Sequence, residues 1–131
     1  MYKNFAIIDD EEICQFIIEK VIDDTKLTIK TSVFSNGKEA IDFFTLNVNN
    51  PEILPDVILL DLNMPIMDGW QFLDYFAVLK QQIKKTIKIC ILSSSRNEKD
   101  IIKAKKYSDV TEYISKPISE EDVIRLYQLN S

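Results

Sequence analysis

Two short runs of this chain, Phe5-Ala6-Ile7-Ile8 and Val57-Ile58-Leu59-Leu60, are apolar at every position and each stops on an aspartate. Side chains of a strand alternate between the two faces of a sheet, so a strand with no polar face must be covered on both sides. A sheet layered between helices meets that demand, and the intervening segments supply the helices. Ile13, Phe16, Ile17 and Val21 recur at helical spacing behind the acidic stretch Asp9-Asp10-Glu11-Glu12, whose charge suits the positive end of a helix dipole. Leu27, Ile29, Thr31 and Val33 alternate with Thr28, Lys30 and Ser32, the period of a strand with one wetter face. Ser35-Asn36-Gly37 breaks the chain before a short helix carrying Ala40, Ile41 and Phe44, and residues 46–55 read as a polar loop.

The second half repeats the rhythm. A helix is predicted over 68–83, a buried strand over 87–92 ending at Ser93-Ser94-Ser95, and a helix from there to about residue 107. Ser95 and Glu98 have the spacing of a capping box for that helix. A short strand over 111–114 ends near Lys116-Pro117, and Ser119 with Asp122 forms a looser cap for a final helix through Leu129. Five strand–helix units without a break in composition predict one α/β domain over residues 1–131. They predict an open, doubly wound parallel sheet, since a barrel of such units needs eight.

Composition narrows the chemistry. The chain has no histidine, which removes Ser-His-Asp and Cys-His catalysis, His-ligated zinc and a histidine phosphoacceptor. Gly37 and Gly69 are the only glycines, so there is no glycine-rich phosphate loop. Sixteen basic against 21 acidic residues leave a net charge of −5, which opposes direct nucleic-acid binding. Cys14 and Cys90, each among apolar neighbours, read as buried free thiols rather than a disulfide framework. With no signal sequence and no run of roughly 20 apolar residues, the chain is expected to be soluble, cytoplasmic and not inserted in a membrane.

In an open α/β sheet ligands bind at the carboxyl ends of the strands. The residues delivered there are Asp9 and Asp10, Asp61, Ser93 and Lys116. Carboxylates brought together repel unless a proton or a cation is shared between them. Without His or paired Cys, a hard, oxygen-ligated cation such as Mg²⁺ is the natural counter-charge. A metal, a lysine, a hydroxyl and a central aspartate together suit phosphoryl transfer to Asp61. Taken singly, each feature has a plainer reading: Asp9-Asp10 and Ser93-Ser94-Ser95 as helix caps, Asn63-Met64-Pro65 as a turn, Lys116-Pro117 as a helix start, Tyr113 as an edge aromatic. Their joint arrival at one sheet edge favours the chemical one.

The blocks Ile7-Ile8-Asp9-Asp10-Glu11, Leu59-Leu60-Asp61-Leu62-Asn63-Met64-Pro65-Ile66-Met67-Asp68-Gly69, Ile91-Leu92-Ser93-Ser94 and Tyr113-Ile114-Ser115-Lys116-Pro117 occur in order. In these the chain resembles the CheY-like receiver domains of bacterial response regulators, from about residue 5 to 129. The resemblance implies a flavodoxin-like (βα)5 fold with strand order 2-1-3-4-5. It implies that Asp61 accepts a phosphoryl group from a sensor histidine kinase. Asp10 and Asp61 would ligate Mg²⁺ by their side chains, Asn63 by its main-chain carbonyl, and Asp9 mostly through a metal-bound water. Lys116 would pair with the phosphoryl group; Ser93 and Tyr113 would be the switch hydroxyl and aromatic. Pro65, Gly69 and Pro117 would shape the loops, Pro117 through a cis peptide bond.

Drawing Ser93 inward would vacate space for Tyr113 and link the site to the surface of the fourth helix, fifth strand and fifth helix, the expected readout face. Ile101, Ile102 and Tyr127 form an exposed apolar set on the fourth and fifth helices that suits either a monomer or a dimer. No output domain follows the final helix, and Met1 with that complete helix points to a natural single-domain regulator acting on a downstream protein. The alternatives are a relay carrier passing phosphate to a histidine phosphotransfer protein, and an unphosphorylated adaptor. A haloacid-dehalogenase-type phosphatase would need an aspartate where Asn63 stands. Ser93 in place of the commoner threonine, Lys106-Tyr107-Ser108-Asp109 before the fifth strand and the long 46–55 loop depart from the common pattern without removing a phosphorylation residue.

Overall fold

The computed structural model describes residues 2–129; Met1, on which the expectation of a natural start rests, lies outside them. The strands are β1 (Lys3–Ile8), β2 (Ile29–Phe34), β3 (Val57–Leu60), β4 (Lys88–Ser93) and β5 (Val110–Ser115). The helices are α1 (Glu12–Asp24), α2 (Gly37–Leu46), α3 (Gly69–Leu79), α4 (Glu98–Ala104) and α5 (Glu120–Leu129). All strand pairs are parallel and the order is β2-β1-β3-β4-β5.

The unbroken apolar runs are explained by what lies on each face. Ala6, Ile8, Ile58, Leu60, Ile89 and Ile91 point into one core with Phe44 of α2, Phe72 and Phe76 of α3 and Ala104 of α4. Their neighbours Phe5, Ile7, Val57, Leu59, Cys90 and Leu92 point into a second core with Ile18 and Ile22 of α1 and Val123 and Leu126 of α5. The two-residue period thus divides each strand between two cores. Ile8 pairs with Leu60 and Leu60 with Ile91, so β1 and β3 end level and Asp9 and Asp61 emerge together, while β4 runs two residues further to Ser93.

Four local expectations are corrected. On α1, Ile18 and Ile22 are buried, whereas Ile13 (75% exposed), Phe16 (67%) and Ile17 (42%) face outward. Apolar residues occupy so much of this helix's circumference that periodicity alone could not choose the inner side. The cap of α4 is Asn97, whose side chain accepts from the Lys99 N–H at 2.9 Å; Ser95 lies outside the helix and its hydroxyl bonds the Asp100 carboxylate at 3.3 Å. An asparagine next to the helix reaches the free N–H groups of the first turn, so it displaces the more distant serine. That helix stops at Ala104, and α3 stops at Leu79 with a 3₁₀ turn over Lys80–Gln82. Finally, Cys14 is half-buried, unlike the fully buried Cys90, and Ile101 and Tyr127 are partly buried rather than open. Tyr127 packs on the second core under the Lys3 ammonium, 4.8 Å from its ring centroid.

One glycine is set by close approach. A Cβ on Gly69 would lie 2.5 Å from the Asp61 carbonyl oxygen and 2.8 Å from Leu62 Cα, both backbone atoms. A Cβ on Gly37 would meet the flexible Met67 side chain at 3.0 Å and the Met67 carbonyl oxygen at 3.1 Å, a milder crowding. Gly69→Ala is therefore expected to cost about 3 kcal/mol and Gly37→Ala about 1 kcal/mol. Urea unfolding of the two variants checks this; equal losses would mean that the α3 start can simply move away from the loop.

Candidate functional site

Parallel register places the site. Asp9 follows β1 and donates its N–H to Phe34 O of β2 (3.0 Å); Asp61 follows β3 and donates to Ile8 O of β1 (2.9 Å). Lys116 follows β5 and donates its N–H to Ser93 O at the end of β4 (2.8 Å). Each side chain is thus anchored through its own backbone to the neighbouring strand. The Lys116–Pro117 peptide is cis. Gly69 N–H reaches Leu62 O at 2.9 Å and folds the Asn63–Asp68 loop back on the strand end; Pro65 is exposed on that loop, its carbonyl accepting from Met67 N–H. A capping box between Asp68 and Gln71 then starts α3.

Asp9 and Asp61 are buried, at 2% and 7% exposure, while Asp10 is open to solvent. Carboxylate oxygens of the three lie within 4.8 Å of one another. The Lys116 ammonium is 2.9 Å from Asp9 Oδ2 and 3.7 Å from Asp61 Oδ1. Asp9 Oδ1 also accepts the Glu11 N–H (3.0 Å), and Asp61 Oδ1 accepts the Leu62 N–H (2.9 Å). Asp61 is pushed up to about 6: burial is the main cause, Asp9 and Asp10 add to it, and Lys116 and the Leu62 N–H work against it. Burial opposes the charge on Lys116, but the Asp9 hydrogen bond and the Asp61 charge outweigh it and raise its pKa. An all-oxygen set with excess negative charge fits a hard divalent cation.

Ser93 is buried, and its Oγ accepts the Ser95 N–H at 3.1 Å. Tyr113 lies partly buried against the core, its hydroxyl donating to Ser95 O at 3.1 Å. Asn63 is exposed two residues past Asp61. Sequence reasoning overlooked Gln15, whose side-chain amide donates to Asp9 O at 2.6 Å, and Cys14, whose sulfur lies 3.7 Å from the Lys116 ammonium. Both face the site from the first turns of α1, where no motif marks them. Cys14, Ile17, Ile18, Leu92, Lys116, Pro117 and Ile118 line a concavity of about 240 Å³ beside it; burial raises the Cys14 pKa and keeps it a thiol.

A carboxyl held near 6 in the fold but at its ordinary 3.8 in the unfolded chain binds its proton more tightly when folded. Asp61 thus favours folding below pH 4, and that contribution is lost as pH rises to 6. Without divalent cations, Asp61→Asn is expected to match wild type near pH 4 and to exceed it above pH 7 by about 2–3 kcal/mol. Thermal melts in chelator across this range test the sign; a variant less stable than wild type at pH 7 would contradict it.

The profile described as "Response regulator receiver domain" matches residues 5–128. A two-component response regulator from Cytophaga hutchinsonii has a similar structure, with a TM-score of 0.87 and 29% identity, over 97% of this chain and 95% of that one. Response regulator Rcp1 of Synechocystis is 28% identical over 96% of this chain and 84% of its own length. Its Mn²⁺-bound form superposes with a TM-score of 0.70, at 25% identity, over 96% and 89% of the two chains. Sporulation initiation phosphotransferase F of Bacillus subtilis is 25% identical over 94% and 89%. Other relatives are longer: the chain spans 13% of the sensor histidine kinase CheAY of Helicobacter pylori and 20% of a protein-glutamate methylesterase of Treponema pallidum. With the strand order, the carboxylate cluster and the matched profile in agreement, the chain belongs to the response regulator receiver domains of two-component signalling.

Proposed function

We propose that this receiver is a phosphorylation switch with Asp61 as the phosphoacceptor. The observation that carries the reading is the meeting of a buried Asp61 with the Lys116 ammonium at 3.7 Å and with the Asp9 and Asp10 oxygens within 4.8 Å. An Asp61 oxygen attacks the phosphorus of a phosphohistidine on a sensor kinase. The P–N bond breaks, and the imidazole leaves with the electron pair and takes up a proton. Asp10, Asp61 and the Asn63 carbonyl, with Asp9 in support, would hold Mg²⁺, which would supply charge neutralisation for the phosphoryl oxygens. Lys116 transfers part of its hydrogen bonding from Asp9 to the new phosphoryl group, and Ser93 Oγ turns toward it. The domain acts on itself alone, in the cytoplasm, where free thiols such as Cys14 and Cys90 persist.

Exposed Ile17 lines the concavity with Lys116 and Pro117, and Ile13 and Phe16 are exposed on the same helix, which supports docking of a histidine-bearing partner over the site. Output then comes from docking by the domain itself, through the surface of α4, β5 and α5, to a downstream protein. A relay role, returning phosphate to a histidine phosphotransfer protein, draws support from the likeness to the sporulation phosphotransferase.

Incubation with Mg²⁺ and acetyl phosphate is expected to add one phosphoryl group by intact mass. Asp61→Asn or prior chelation abolishes the adduct, and Lys116→Met lowers its rate by about tenfold or more. An adduct that persists in Asp61→Asn would move the acceptor elsewhere; none in wild type would leave the unphosphorylated adaptor. Asn63 and Ser95 are small and polar where attacking water approaches in this family, so the adduct decays unaided, and its retention for many hours would contradict that.

A further inference from the structure

We propose that the outer face of α4, where it meets α3, is a groove for an acidic peptide segment carrying one large apolar side chain. Lys99, Ile102, Lys103, Lys106 and Tyr107 line a concavity of about 460 Å³ there. Its floor is apolar and built: Ile102 is 57% exposed, and Tyr107 lies 6.0 Å from the Trp70 ring at 30° while its hydroxyl donates to Asp74 at 2.9 Å. Its rim is cationic. Lys103 stands over the Trp70 ring at 4.4 Å, and Lys99, Lys103 and Lys106 form no ion pair among the described residues. Lys20, Lys38, Lys80, Lys85, Lys116 and Arg125 are each paired with a carboxylate, whereas Lys3, Lys26, Lys30, Lys84, Lys88, Arg96 and Lys105 also form no ion pair among the described residues. Lys99, Lys103 and Lys106 differ from those in lining one concavity together.

Unpaired cations around an apolar hollow, on a chain of net charge −5, call for carboxylates flanking an apolar anchor. A bilayer or a nucleic acid is a poorer occupant. Both are extended polyanions that the remaining negative surface repels, and three lysines replace too few counterions to hold them. This differs from the readout face in the proposed function, because it uses the α3 side of α4 rather than the β5 side. It rests on the phosphorylation reading only for its control: Asp100 on α4 is bonded through the Ser95 hydroxyl to the same loop whose Ser95 N–H holds Ser93 Oγ.

The chain's one tryptophan, Trp70, is the reporter. The probes are a set of acetylated, amidated decapeptides, each with six acidic residues around a central Phe, Leu or Ile. Polyglutamate, phosphatidylserine vesicles and a short DNA duplex are the competing ligands. At least one decapeptide is expected to bind and change Trp70 fluorescence, with affinity falling as salt rises. Lys99→Glu/Lys106→Glu, which leaves Lys103 on Trp70, weakens it about tenfold or more, and so does Ile102→Ser, with circular dichroism unchanged. Binding by none of the set at about 1 mM overturns the groove. So does polyglutamate binding equally well, either variant binding as wild type does, or tighter binding of vesicles or DNA. Beryllofluoride in Mg²⁺ changes the peptide affinity if the site and groove are coupled. A protein that takes up no phosphoryl group yet binds peptide loses the switch and keeps the groove.

Discussion

The carboxylate of Asp61 is held nearly out of water at the end of β3, beside two more carboxylates, and one ammonium must serve them all. Lys116 is committed to Asp9 at 2.9 Å and gives Asp61 only a longer contact at 3.7 Å. Burial is the main reason that the Asp61 pKa climbs to about 6; the Asp9 and Asp10 charges add to it, and a lysine committed to Asp9 offsets it only in part. An edge in this state attracts a divalent cation, and a phosphoryl group placed on Asp61 finds Lys116 within reach. In the proposed function this imbalance is what the cation and the phosphoryl group would relieve.

That imbalance survives because the backbone gives the acids no room to separate. Asp9 and Asp61 leave adjacent parallel strands at the same level, each with its N–H bonded to the strand beside it. Gly69 seals the arrangement from below, its missing side chain letting the start of α3 press on Asp61 and Leu62. Conformational freedom is not what glycine supplies here; it supplies the absence of an atom.

Where the physics is local and strong, the sequence is readable. The apolar runs declare a two-faced sheet because no polar side chain can be hidden in it, and Asp9, Asp61, Ser93 and Lys116 follow from where those runs end. The choice of inner face on α1 is not readable, since Ile13, Phe16, Ile17, Ile18 and Ile22 differ only in what the fold sets against them. Ser95 was misjudged for a related reason. Its spacing to Glu98 suits a cap, but Asn97 stands closer to the helix and takes the N–H, leaving Ser95 to bond Asp100 and Tyr113. Tertiary competition of this sort leaves no periodic trace. Lys99 and Lys103 on α4 and Lys106 just after it likewise read as an ordinary solvated stretch until the fold gathers them around one concavity with Ile102 and Tyr107.

Ser95 is where the two halves of the molecule meet. Its N–H holds Ser93 Oγ, its carbonyl accepts Tyr113, its hydroxyl bonds Asp100, and its neighbour Asn97 caps α4. In the proposed function Ser93 donates its O–H to the phosphoryl group, which leaves its oxygen able to accept the Ser95 N–H; it is rotation of the side chain toward Asp61 that would pull Oγ away from that N–H. Once that bond is lost, the 94–97 loop is free to move, and with it the Tyr113 acceptor and the Asp100 anchor of a helix only seven residues long. A helix so short has little hydrogen bonding of its own to resist displacement. One hydroxyl contact of ordinary strength, about 1 kcal/mol, is therefore enough to bias the position of α4 and of whatever docks on it.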